Sequence, residues 1–147
     1  MSEIVARWTG LVGRILLSHI FLFSGIHKIA DPVGTKAYMA AADMPAVSLL
    51  FVGATVFELS GALSVLLGFR ARWGAVLLIV FLVPTTLIFH HFWDLEGPAR
   101  NMQMANFMKN SAILGGLALV SVCGSVGVSV DAWLRGRAAR AETAGQV

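Results

Sequence analysis

Apolar residues run almost unbroken through four stretches of the chain, about Trp8 to Ile29, Ala46 to Leu67, Trp73 to Phe92 and Asn106 to Cys123, with polar clusters between them. Each is close to the roughly 20 residues that a helix needs to cross a bilayer. None shows the alternation over segments of about ten residues expected of a membrane barrel. The pattern predicts four spanning helices. Asp31-Pro32 stops the first, because proline disfavours helical geometry in the residue before it, and Pro45 suits the first turn of the second. The connection between them reads as short and polar. Gly68-Phe69-Arg70-Ala71-Arg72 predicts a tight turn that makes the second and third spans antiparallel neighbours, and Gly97-Pro98 breaks the segment before the fourth. Pro84 is expected to kink the third span, with Thr85 or Thr86 placed to satisfy a freed carbonyl. The expected fold is all-α, an integral membrane four-helix bundle over residues 1–134. A basic cytoplasmic tail, 135–147, is expected to follow it and to be flexible.

Composition supports this and removes other classes. Of 147 residues, 57% are hydrophobic and 13% charged, and the mean hydropathy is +0.78, so no separate soluble domain fits beside four spans. The stretch from Met1 to Trp8 lacks a short apolar region ending in a small-residue cleavage site and reads as the start of a retained helix. A pI near 9.6 does not point to nucleic acid here, because the basic residues lie beside the spans and accord with a positive-inside bias and contact with anionic lipid. One side collects Arg7, Arg70, Arg72, Arg135, Arg137 and Arg140, against Lys36 and Arg100 on the other. Both termini are therefore expected in the cytoplasm. The single cysteine, Cys123, excludes an internal disulfide and a Cys-x-x-Cys pair. Ser60, Ser64 and Gly68, and likewise Ala112 and Gly116, recur at intervals of four and offer small faces for helix packing or for a homo-oligomer.

Ionisable residues inside the spans carry the candidate chemistry. A charge at the centre of a spanning helix costs about 2.5–3.5 kcal/mol even on lenient insertion scales, so such groups pair or face an interior cavity. Glu58 is the only acid that deep in a span. Arg14 and Lys28 fall on nearly the same face of the first helix, about four turns apart, and either reaches Glu58 if the first two spans pack together. A buried ion pair that fixes helix register, with Arg14 as a structural member, stands beside a functional acid as the reading of these charges. Adjacent helical residues diverge by about 100°, so one of His90 and His91 faces the interior. His19 and His27 are poorly spaced to chelate one metal, and no metal site is expected. In the fourth span Gln103, Asn106, Lys109 and Asn110 form one polar stripe. The two-sided orientation gathers Lys28, the histidines and this stripe at the outward end, above Glu58. Such a pocket suits a small anion or a carbonyl-bearing head such as a quinone.

These residues resemble the DoxX family of small bacterial membrane proteins. The resemblance lies in Arg14, Phe23-Ser24-Gly25-Ile26-His27-Lys28-Ile29, Phe57-Glu58-Leu59-Ser60-Gly61 and Leu67-Gly68-Phe69-Arg70-Ala71-Arg72. It continues through His90, Phe107-Met108-Lys109-Asn110-Ser111-Ala112-Ile113-Leu114-Gly115-Gly116, and an ending at Gly124 to Asp131 similar to Gly-x-Gly-x-x-Ser-x-Asp. It implies a four-helix bundle in the bacterial inner membrane. Some relatives are linked to thiosulfate:quinone oxidoreduction or to oxidoreductase complexes. The expectation is thus a membrane subunit of an oxidoreductase system, acting with a partner subunit, that binds a quinone or a small anionic or sulfur-containing substrate. Glu58 and His90 would be catalytic, and Lys28, Lys109, Asn110, Asn106 and His91 would hold the substrate. Haem bound through the histidines is the lesser cofactor expectation. A noncatalytic scaffold or small-solute transporter, with charges that only fix packing, is the alternative from another class.

Overall fold

The computed structural model describes residues 2–144. Helices α1 (Glu3–Ala30), α3 (Val47–Leu67), α4 (Ala71–Phe89) and α5 (Gly97–Cys123) are each long and apolar enough to cross a membrane. Two shorter helices, α2 (Pro32–Ala40) and α6 (Val130–Ala144), accompany them. The protein is all-helical, a packed bundle of four membrane-spanning helices.

Residue pairs give the topology. Lys28 meets Glu58 and Gly25 meets Leu59, while Arg14, nearer the start of α1, reaches Gly68 just past the end of α3. Hence α1 and α3 run antiparallel. Gly61 and Ser64 of α3 lie against Gly74 of α4, Thr86 of α4 bonds Asn110 of α5 and His90 bonds Gln103, and Leu17 of α1 lies against Gly116 of α5. The bundle is therefore an up-down-up-down ring in which α1, α3, α4 and α5 follow one another and the α5–α1 seam is the loosest. Its core is Phe21, Ala62, Val65, Ala75, Leu78, Leu82 and Leu117. Large apolar residues on the outer faces, such as Phe23, Leu49 and Trp73, stay exposed, as a lipid-facing surface requires.

Close approach depends on small residues, although not all those the spacing singles out. A side chain at Gly25 would collide with Leu59, at Gly61 with Leu78 and the Gly74 carbonyl, and at Gly116 with Leu17. Ser60 and Ala112 instead face outward. Ser64 and Gly68 of the expected set do pack, against Gly74 and Arg14, and Glu58, Gly61, Ala62 and Val65 complete the buried face of α3.

Three local expectations change. The connection after α1 is not a simple loop: Asp31 caps α2 by accepting a bond from the Gly34 amide at 2.9 Å, with Pro32 in the first turn. A sequence that stops one helix here starts another. Helix α5 begins at Gly97 and not at Asn106, because Pro98 falls in its first turn, where a missing amide hydrogen costs no helical bond. The expected tail is largely the helix α6, started by Ser129, whose Oγ accepts from the Ala132 amide at 3.2 Å. Residues 145–147 of that tail lie outside the described residues. Pro84 sits inside α4, but the two hydroxyls after it bond the Phe81 and Leu82 carbonyls, at 2.8 and 2.7 Å.

Candidate functional site

Near the end of the bundle opposite the termini, four spanning helices enclose a hollow of about 160 Å³. Helix α1 brings Phe21, Ser24 and Lys28; α3 brings Glu58; α4 and its end bring Phe81, Thr85 and His90; and α5 brings Asn110. Lys28 is 18% and Glu58 2% exposed, and the ammonium donates to Glu58 Oε2 and Ser24 Oγ, each at 2.7 Å. The cation also lies 5.6 Å from the centre of the Phe81 ring, a favourable face for it. Lys28, and not Arg14, is thus the partner of the deep acid.

The other polar residues are held from behind. The His90 Nδ1 is 2.8 Å from Gln103 Oε1, a hydrogen bond that orients the ring. The buried Asn110 donates through Nδ2 to Thr86 Oγ1 at 3.0 Å, and Thr86 passes its own hydrogen to the Leu82 carbonyl. Polar ends therefore meet inside apolar walls of Ile20, Phe21, Phe81, Leu82 and Ile113.

Of the residues singled out by sequence, Lys28, Glu58, His90 and Asn110 come together here. Lys109, Asn106 and His91 do not line the hollow. Lys109 is exposed and donates to Asn106 Oδ1 at 3.1 Å, and His91, also exposed, lies 2.8 Å from the Ile88 carbonyl. The stripe on α5 is split by its own width: Asn110 turns inward, while Lys109, about 100° away, turns out. Ser24, Thr86 and Gln103 were not among the expected site residues, yet each positions a residue of the hollow. The four-residue interval from Ser24 to Lys28 was a visible signal; the Thr86 contact, across helices, was not.

Arg14 has a different task. Its guanidinium donates to the Val128 carbonyl and, at 3.4 Å, to the Gly10 carbonyl, and it lies over Gly68, whose φ of +63° and missing Cβ give it room. It is 3% exposed and makes no ion pair with Glu58; the carboxylate whose field acts on it is Asp131. The expected ion pair is replaced by backbone acceptors because Arg14 stands beside the α3–α4 turn, far along α1 from Glu58. The ending of the apolar region completes this lock. Gly127, at φ +79°, packs on the Arg7 backbone, the Asp131 amide donates to the Gly68 carbonyl at 3.2 Å, and its carboxylate accepts from the Arg70 amide at 3.0 Å. Gly127, Ser129 and Asp131 of this ending thus have structural uses.

Among the described residues no group of three or more His, Cys, Asp and Glu side chains is placed to hold a metal ion. His90 is the histidine that lines the hollow. Its volume of about 160 Å³ is close to that of an engineered cavity known to take benzene.

Comparison with known proteins agrees with the architecture. The chain is 37% identical to the Inner membrane protein YphA of Escherichia coli, over 82% of this chain and 86% of that protein. It is 34% identical to the Inner membrane protein YqjF of the same organism, over 82% and 88%. A Surfeit locus protein 4 homolog of Schizosaccharomyces pombe is 27% identical over 82% of this chain and 36% of its own length. No solved structure matches significantly. The DoxX family profile matches residues 10–91, from the first turns of α1 beyond the end of α4, and so covers Arg14, Lys28, Glu58 and His90: the chain belongs to the DoxX family.

Proposed function

We propose that this protein is a membrane subunit of an oxidoreductase system and that its hollow binds the carbonyl-bearing head of a quinone. The observation that carries the reading is the convergence of Lys28, Glu58, His90 and Asn110 on a ring-sized space with apolar walls. It favours a neutral ligand over an anion. Lys28 is already matched by Glu58 at 2.7 Å and Lys109 points away, so the hollow offers little net positive charge to a sulfur oxyanion. Lys28 and Asn110 would donate hydrogen bonds to carbonyl oxygens, and Glu58 and His90 would hold and move protons. A bound quinone supplies the two-electron chemistry that these side chains lack. Electrons would come from a partner subunit.

The tail of such a ligand has a place. Phe81 and Thr85 also line an open, mainly apolar groove of about 720 Å³ between α3, α4 and the α2–α3 connection, which includes Gly53, Pro84 and Phe89. The inner-membrane relatives suggest the same membrane for this chain. The arginines of the α3–α4 turn and α6 share the end that carries the termini, which supports a cytoplasmic position for both.

The test is equilibrium binding of a short-tailed and a long-tailed quinone to the purified protein. Asn110→Leu and Glu58→Gln are expected to weaken both ligands at least tenfold, whereas Lys109→Ala leaves both unchanged. Gly53→Phe fills open space in the groove and is expected to weaken only the long-tailed compound. Equal affinity in wild type, Asn110→Leu and Glu58→Gln would remove the site. One observation favours the scaffold reading: Lys28 and Glu58 satisfy each other at 2.7 Å. That reading prevails if Glu58→Gln impairs assembly but no quinone binds the wild-type protein.

A further inference from the structure

At the end that carries the termini, a second hollow of about 360 Å³ lies between the α3–α4 turn, the end of α5 and α6. Arg70 and Arg72 of the α3–α4 turn and Arg135 of α6 come to it, with Trp73, Ser125 and Asp131. The Asp131 carboxylate is engaged by the Arg70 amide at 3.0 Å. Three guanidiniums and one carboxylate leave the lining with a formal charge of two positive. Among the described residues none of these three side chains has a hydrogen-bond acceptor or a carboxylate within ion-pair distance. The arrangement is nevertheless built and not incidental. Gly124, at φ +74°, brings the end of α5 against the Arg72 side chain, where a Cβ would lie 3.1 Å from Nε. The Asp131 lock holds α6, and with it Arg135, across the turn.

Two further features give the site a sign and a depth. The first turn of α4 has no side-chain cap, so its amides add their partial positive charge to the arginines. Trp73 is 70% exposed on the outer face of a spanning helix, in its first turn, where indole rings mark the boundary between headgroups and acyl chains. Guanidinium pairs match phosphate oxygens with two parallel hydrogen bonds.

We propose that this hollow binds the phosphodiester headgroup of an anionic membrane lipid, with Arg72 and Arg135 on the phosphate and Trp73 against the glycerol and upper acyl chain. Lipid is favoured over a soluble phosphate because the hollow opens beside an indole and an apolar lipid-facing helix surface, which a free ion would not use. The site is separate from the quinone hollow and does not rest on it.

Native mass spectrometry of the full chain, released from micelles containing phosphatidylglycerol or phosphatidylcholine, tests the proposal, with titration of inorganic phosphate as a parallel measurement. Wild type is expected to retain phosphatidylglycerol in preference to phosphatidylcholine, and Arg72→Gln/Arg135→Gln to lose that preference by about tenfold. The charge-matched variant Arg100→Gln/Arg137→Gln, with neither residue in the hollow, is expected to keep it. Equal loss in both variants would show general surface charge and overturn the site. Phosphate binding that depends on Arg72 and Arg135, without a lipid preference, would overturn the lipid assignment in favour of a soluble anion.

Discussion

Lys28 Nζ stands 2.7 Å from Glu58 Oε2 and the same distance from Ser24 Oγ, which ties the last turn of α1 to the middle of α3 beside the hollow. The carboxylate is almost wholly enclosed, and the ammonium keeps a narrow path to the surface. Partners of this kind are costly to separate, and less costly to remove together.

Lys28→Met and Glu58→Met are therefore each expected to lower stability by about 2 kcal/mol, below the usual range for fully buried pairs because Lys28 is 18% exposed. The double variant Lys28→Met/Glu58→Met should regain most of that loss. Reversible unfolding in mixed micelles gives the coupling. Strictly additive losses would mean that the two groups do not act on one another.

Gly68→Ala is expected to cost more than 1 kcal/mol, since φ is +63° and the new methyl would displace the Arg14 guanidinium. Gly136→Ala in α6, where nothing lies within 4 Å of the added carbon, serves as the comparison. It should be neutral or slightly stabilising, because alanine favours a helix over glycine. Similar melting temperatures for the two variants would contradict the lock described for Arg14.

Thr86→Val removes the acceptor for Asn110 Nδ2 and should destabilise by about 1 kcal/mol, the scale of hydrogen bonds between membrane helices. Thr86→Ser keeps the oxygen and should recover most of it. If valine and serine behave alike in the same unfolding assay, the hydroxyl does not hold Asn110.

The four spans, their alternating direction and the residue types able to carry charge into the bundle were legible in the sequence. That is because hydropathy over about 20 residues and short turns are local properties. The same locality hid α2 and the early start of α5, since Asp-Pro and Gly-Pro break one helix while they begin the next. Tertiary structure decided which cation meets Glu58. Arg14 and Lys28 share a face of α1, and only the height at which α3 packs gives the acid to Lys28 and sends Arg14 to the Val128 carbonyl. It likewise separated Asn110 from Lys109, adjacent in sequence, because about 100° of helix rotation places one in the interior and the other at the surface. Side-chain chemistry is written residue by residue, but a site is a meeting of helices, and their rotation and register are set by packing.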